Sequence, residues 1–285
     1  MRIIFLFIFT LTQSAAFGQH LTGKIFYEIK LPSITKQSTT VTGLLEFADS
    51  ISLFSYYKIS LEDSIYNLSS VYIDPNRGVV IKATEYDTIG TLIYRDFRRG
   101  IIRSRVSQAK PLTPFVVNDD WIEIKWTISS EKKVIQNYEC QKATGTFRGR
   151  NYIVWFAGQL PYNYGPWKLF GLPGLILEAY DSENKVHFMA KQIQYPDTSI
   201  QVIQIPTEKE VKTIREFSYF QDYYMEQVER AFQHKMPKGI TIKLDEKDKT
   251  TPKKLRLQRK YQLESRYEWE KDTLSNKMKI DRNKK

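Results

Sequence analysis

Short runs in which apolar and polar residues alternate, each ended by turn-forming residues, recur along most of this chain. That period of two leaves little choice of fold, because it puts one set of side chains on a single face of an extended strand. Residues 21–31 alternate around Ile25, Tyr27 and Ile29, and residues 41–47 and 51–59 repeat the pattern on either side of Asp49-Ser50. Residues 71–73 and 79–81 flank Asp74-Pro75-Asn76-Arg77-Gly78. Pro there presets φ, and Asn and Gly tolerate positive φ, so this is a hairpin. Three more hairpins follow, turning at Arg98-Arg99-Gly100, Arg148-Gly149-Arg150 and Asp181-Ser182-Glu183-Asn184. Between Trp121 and Ile128 the alternation is clean and predicts another strand. No βαβ alternation and no long-period repeat is visible. The pattern predicts a mainly β protein, an antiparallel meander forming a curved sheet or open barrel.

The period changes near Pro206. Val211, Ile214, Phe217, Tyr224, Val228 and Ala231 fall at helical spacing, predicting a C-terminal helix near 208–235 packed on the sheet. Thr207 with Glu210 forms a candidate capping box, and Pro237 and Gly239 end the helix. Residues 240–244 read as a last strand.

The chain opens with Met1-Arg2, an apolar run from Ile3 to Phe9, and the small residues Ser14-Ala15-Ala16-Phe17-Gly18. This order is that of a secretory signal cleaved after Gly18. The run is shorter than the ~20 apolar residues a membrane span needs. Residues 19–245 are then one β-rich domain, supported by 41% apolar and 14% aromatic residues. Residues 246–285 are polar and read as a basic, loosely ordered or helical tail, dispensable for folding. From Lys247 onward the chain carries 14 Lys/Arg against 6 Asp/Glu, most of the net charge of +11. Basicity confined to a tail argues against nucleic acid as partner and for an anionic membrane surface. Cys140 is the single cysteine and has no internal disulfide partner.

One segment is distinctive. Tyr138-Glu139-Cys140-Gln141-Lys142-Ala143 leads to Phe147-Arg148-Gly149-Arg150 and Val154-Trp155-Phe156-Ala157. Leu160-Pro161-Tyr162-Asn163-Tyr164-Gly165-Pro166-Trp167-Lys168-Leu169-Phe170 follows, closed by Gly171-Leu172-Pro173-Gly174-Leu175-Ile176-Leu177-Glu178. This stretch, about a sixth of the chain, resembles the GLPGLI family of exported Bacteroidetes proteins. The resemblance implies a signal peptide and a location in the periplasm or at the outer-membrane periphery; it implies no reaction. Asp49-Ser50-Ile51, Asp63-Ser64-Ile65, Asp87-Thr88-Ile89 and Asp272-Thr273-Leu274 also match the Asp-Ser/Thr-apolar pattern that such bacteria O-glycosylate, and equally fit ordinary turn chemistry.

Physically, the segment is a wide apolar loop between two strands. Pro161, Pro166 and Pro173 stiffen it. Gly171, Leu172, Pro173, Gly174, Leu175 and Ile176 form its structural motif, with Gly174 after Pro173 at a position where positive φ is common. Arg148, Arg150, Trp155, Tyr162, Tyr164, Trp167, Lys168 and Phe170 are the candidate binding residues. Two readings stay open. The loop is a lid that completes the core, or it lines an aromatic groove in which the cations orient an anionic or peptide ligand.

No catalytic residues are predicted. His20, His187 and His234 stand beside no distinctive Ser or Cys motif, although Cys140 and His187 are a conceivable pair across neighbouring hairpins. No metal-ligand spacing and no phosphate loop occurs, and no cofactor is expected. The expected function is a non-enzymatic β scaffold of the cell envelope that binds an envelope protein or an apolar or peptide ligand. The alternatives are a hydrolase or processing enzyme, and an accessory of an outer-membrane transport complex.

Overall fold

The computed structural model describes residues 22–31, 39–56, 70–74, 78–82, 87–108, 112–200, 202–235, 259 and 262–270. The expected signal peptide, the strand at 240–244, two of the Asp-Ser/Thr sites and most of the basic tail lie outside them. Fourteen strands are described: β1 (Thr22–Leu31), β2 (Thr39–Ala48), β3 (Ile51–Tyr56), β4 (Ser70–Asp74), β5 (Gly78–Lys82), β6 (Thr91–Asp96) and β7 (Ile101–Val106). They continue as β8 (Phe115–Asp119), β9 (Thr127–Ile135), β10 (Tyr138–Phe147), β11 (Arg150–Ala157), β12 (Leu175–Asp181), β13 (His187–Gln194) and β14 (Val211–Thr213). Helices α1 (Ile214–Asp222) and α2 (Tyr224–Lys235) follow.

Twelve strands make one sheet in the order β14-β8-β7-β6-β3-β2-β1-β13-β12-β11-β10-β9, while β4 and β5 pair as a separate ribbon. All neighbours in the large sheet are antiparallel except β14 and β8. The expected mainly β architecture is therefore what forms. Turn chemistry sets the hairpins where the sequence places them: Gly100 at φ 63°, and Arg148 and Gly149 at 49° and 81°. Two successive positive-φ residues give the turn twist that suits a tight hairpin.

Connectivity forces curvature. β8 and β9 lie ten strand spacings apart, about 48 Å in a flat sheet. Only residues 120–126 join them, and the stretch from Asp119 to Thr127 reaches roughly 26–29 Å fully extended. The sheet must curl until its two ends approach. This corrects the strand expected over Trp121–Ile128: residues 121–126 have no ladder partner because they cross the gap, and pairing begins only at Thr127. Their apolar members still face inward, with Ile124 buried and Trp121, Ile122 and Trp126 packed against the core.

The helical region is also corrected. Val211–Thr213 first pairs with Val116–Asn118 as a short parallel edge strand, so the helix cannot begin at Thr207. The capping box is Thr213–Glu216, with Glu216 accepting from the Thr213 backbone at 2.6 Å. The same Thr-x-x-Glu spacing occurs twice in this stretch, and the sheet edge decides which one caps. Ile214 and Phe217 of α1 pack on Phe115 and Val117 of β8, together with Tyr267. Tyr267 lies in the stretch expected to be a loosely ordered tail. Segment 262–270 is instead docked, with Glu264 and Tyr267 buried.

Candidate functional site

The inside of the curl is occupied by residues 158–174. Leu160, Tyr164, Trp167, Leu169, Phe170 and Leu172 are all buried in the main core. Their rings reach both halves of the sheet: Tyr164 packs on Phe47 and Phe97, Phe170 on Phe97 and Trp121, and Trp167 on Phe147 and Tyr152. The segment is a plug. Its apolar side chains are buried between the two halves of the sheet.

A plug without regular structure carries backbone groups that need partners. Arg95, wholly buried on β6, supplies several. It donates to the carbonyls of Gly165 at 2.7 Å and Leu169 at 3.0 Å, and to the Ser52 hydroxyl at 3.1 Å. Among the described residues it meets no carboxylate, and burial lowers its pKa to about 10. Trp126 donates to the Phe170 carbonyl at 2.8 Å. The Gly171 amide donates to the Asn163 carbonyl, and the Ile176 amide to that of Tyr164. Gly171 has φ 94°, whereas Gly174 is not among the positive-φ residues. Gly174 is needed for close approach instead, since a Cβ there would lie 2.3 Å from the Ala157 carbonyl oxygen.

At one end of the plug sits a buried charged node. Lys168 meets Asp119 of β8 and, at 2.5 Å, Glu264 of the docked segment. Arg148 meets the other Asp119 oxygen at 2.6 Å and approaches Glu268 at 3.2 Å. Burial opposes both positive charges, yet the facing carboxylates outweigh it and raise both pKa values. Arg150 pairs with Asp181 at 2.6 Å and donates to the backbone carbonyls of Gln262 and Leu263. The amides of Ser265 and Arg266 both donate to the Arg148 carbonyl. Gly149 makes this approach possible, because a Cβ there would stand 2.5 Å from the Arg266 Cβ.

Of the eight candidate binding residues, Arg148, Arg150 and Lys168 come together at this node. Tyr162, Tyr164, Trp167 and Phe170 belong to the plug. Trp155 stands apart, with Lys133 over its ring at 4.3 Å. Lys133 also pairs with Glu178, which His187 contacts at 2.9 Å. Cys140 does not join His187: its thiol is buried against the Tyr138 carbonyl, and burial pushes its pKa to about 11.

Sequence reasoning missed Arg95, Asp119, Glu178, Glu264 and Tyr267. A signal existed for Arg95, a charge on the same strand parity as Ile93. Asp119 reads as turn chemistry beside Asp120, and nothing local marks Glu264. Among the described residues no group of three or more His, Cys, Asp or Glu is placed to hold a metal ion. Among them, too, no helix is long and apolar enough to cross a membrane.

No family model matches the chain, and no curated protein matches it. Solved structures of PNGF-II in two crystal forms, P21 and C2, are similar at 13% identity and a TM-score of 0.47. The match covers 74% of this chain and 34% and 33% of those chains, so this chain spans about a third of their length. A likeness this distant transfers no activity.

Proposed function

We propose that this chain is an exported, non-enzymatic scaffold of the bacterial cell envelope, related to the GLPGLI proteins, that binds a polypeptide partner. The observation that carries the reading is the division of labour within the distinctive segment. Its aromatic residues fill the curl of the sheet, while its three cations turn to the rim and hold a length of polypeptide there. Tyr164, Trp167 and Phe170 are buried in the core inside the sheet, so the reading rests on the rim. A peptide read through its backbone carbonyls and carboxylates suits Arg150, Lys168 and Arg148. The signal-like sequence of residues 1–18 supports export.

The test is to recover the mature protein from envelope extract and examine it by native mass spectrometry. A polypeptide adduct, on a chain beginning near Gln19, supports the reading. A stoichiometric small molecule held without any polypeptide, or a chain retaining Met1, contradicts it.

A further inference from the structure

The docked segment 262–270 meets the rim in the way a bound peptide meets a receptor. Arg150 donates to two of its backbone carbonyls, at 2.5 Å from Gln262 and 3.2 Å from Leu263. Two of its amides donate back to the Arg148 carbonyl. Glu264 answers Lys168, and Glu268 faces Arg148. Tyr267 and Trp269 stack at 4.6 Å, with Arg148 over the tyrosine and Arg215 of α1 over the tryptophan. Each ring of the stacked pair thus has a guanidinium over it, and these contacts hold the segment to the rim and to α1.

Two further observations set this contact apart from ordinary core. The segment satisfies the rim only in part. Among the described residues, Arg148 Nε and the Tyr152 hydroxyl are buried without a hydrogen-bond partner, and Arg148 Nη1 approaches Glu268 without forming an aligned bond. Buried donors left in this state are costly, and an occupant with better placed acceptors would gain by pairing them. Beside the segment, a cavity of about 470 Å³ opens between Asn151, Asp181, Lys185 and Arg266. Charge defines what fits. Without the segment, Lys168 and Arg148 share the single carboxylate of Asp119, leaving one positive charge uncompensated.

We infer that the rim formed by Arg148, Arg150 and Lys168 is a binding site for an acidic, aromatic peptide segment, and that residues 262–270 occupy it in cis as an exchangeable stand-in. The ligand class is a stretch carrying two carboxylates around a tyrosine, as Glu264, Tyr267 and Glu268 do. A partner presenting such a stretch with an extra acceptor for Arg148 Nε displaces the resident segment. This inference rests on the polypeptide-binding reading and adds where the partner binds and what it displaces.

The experiment uses the full mature chain carrying one engineered protease site between residues 246 and 258, cut after folding. The nicked chain is challenged with a synthetic peptide of residues 262–270, and release of the C-terminal fragment is followed by size-exclusion chromatography. The peptide is expected to release the fragment while the melting transition of the remainder persists. A peptide with Glu264→Gln and Tyr267→Ala should need at least tenfold more. Retention of the fragment up to global unfolding would overturn the inference, since the segment would then be fixed core. Equal release by both peptides would overturn its specificity. Neither failure bears on whether native mass spectrometry detects a polypeptide adduct, so the two proposals fail separately.

Discussion

The guanidinium of Arg95 donates to the main-chain carbonyl of Gly165 at 2.7 Å, tying the end of β6 to the middle of the plug. A charge in this position has been removed from water without a carboxylate to pair it, so its hydrogen bonds are what make it tolerable. Arg95→Ala removes all of them and leaves a void beside Phe170. The expected loss is on the order of 3 kcal/mol or more in chemical unfolding. Arg95→Lys keeps the charge but not the fork of donors, and is expected to recover only part of it.

Two glycines of the plug are expected to fail for different reasons. Gly171→Ala meets space, its nearest neighbour being 3.8 Å away, but takes a side chain at φ 94°. Its cost should be about 1–3 kcal/mol of backbone strain. Gly174→Ala meets the Ala157 carbonyl at 2.3 Å and requires two backbone segments to separate. Melting temperatures should rank Gly174→Ala as the more damaging of the two.

Trp167 is 2% exposed and packs on Phe147 and Tyr152. Trp167→Ala should cost roughly 3–5 kcal/mol as a core truncation. A near-normal melting temperature would mean that the plug contributes little to the fold.

Lys168 and Glu264 are each about as buried as a hydrophobic core residue, at 3% and 4% exposure. Lys168→Met leaves the Glu264 carboxylate only the Tyr267 hydroxyl as a donor and should cost up to about 3–5 kcal/mol, the ceiling being set by release of the docked segment. Lys168→Met combined with Glu264→Gln should cost less than the sum of the two single changes, because no unpaired charge remains from that pair. A double-mutant cycle on urea unfolding measures the difference.

Acid should reveal the Glu178 contacts. Burial acts to raise its pKa, but the hydrogen bonds from His187 and Lys133 outweigh burial and hold it below its usual 4.5. A carboxylate depressed in the folded state stabilises fully above its unfolded pKa and loses that contribution as pH falls through the lower folded value. The stability gap between the wild type and Glu178→Gln should therefore shrink as pH falls below about 5. A gap that widens below about pH 5 would contradict this assignment.

Strand positions, hairpin turns and the mainly β class were legible in the sequence because a period of two and a positive-φ turn are local properties. The plug was legible as an apolar loop rich in Pro and Gly, with its lid and groove readings both open. What stayed hidden depends on residues far apart in sequence. Arg95 and Gly165 are separated by 70 positions, and Lys168 and Glu264 by 96. Residues 121–126 alternate like a strand yet have no partner, since the ends of a curled sheet decide which segment must cross. Segment 262–270 looks like solvated tail because its composition is polar; its burial comes from the charges it meets, which composition cannot show. The sequence by itself determined which residues extend and which turn. Only the tertiary structure decided which charges face each other, because that pairing is set by the curling of the sheet around its plug.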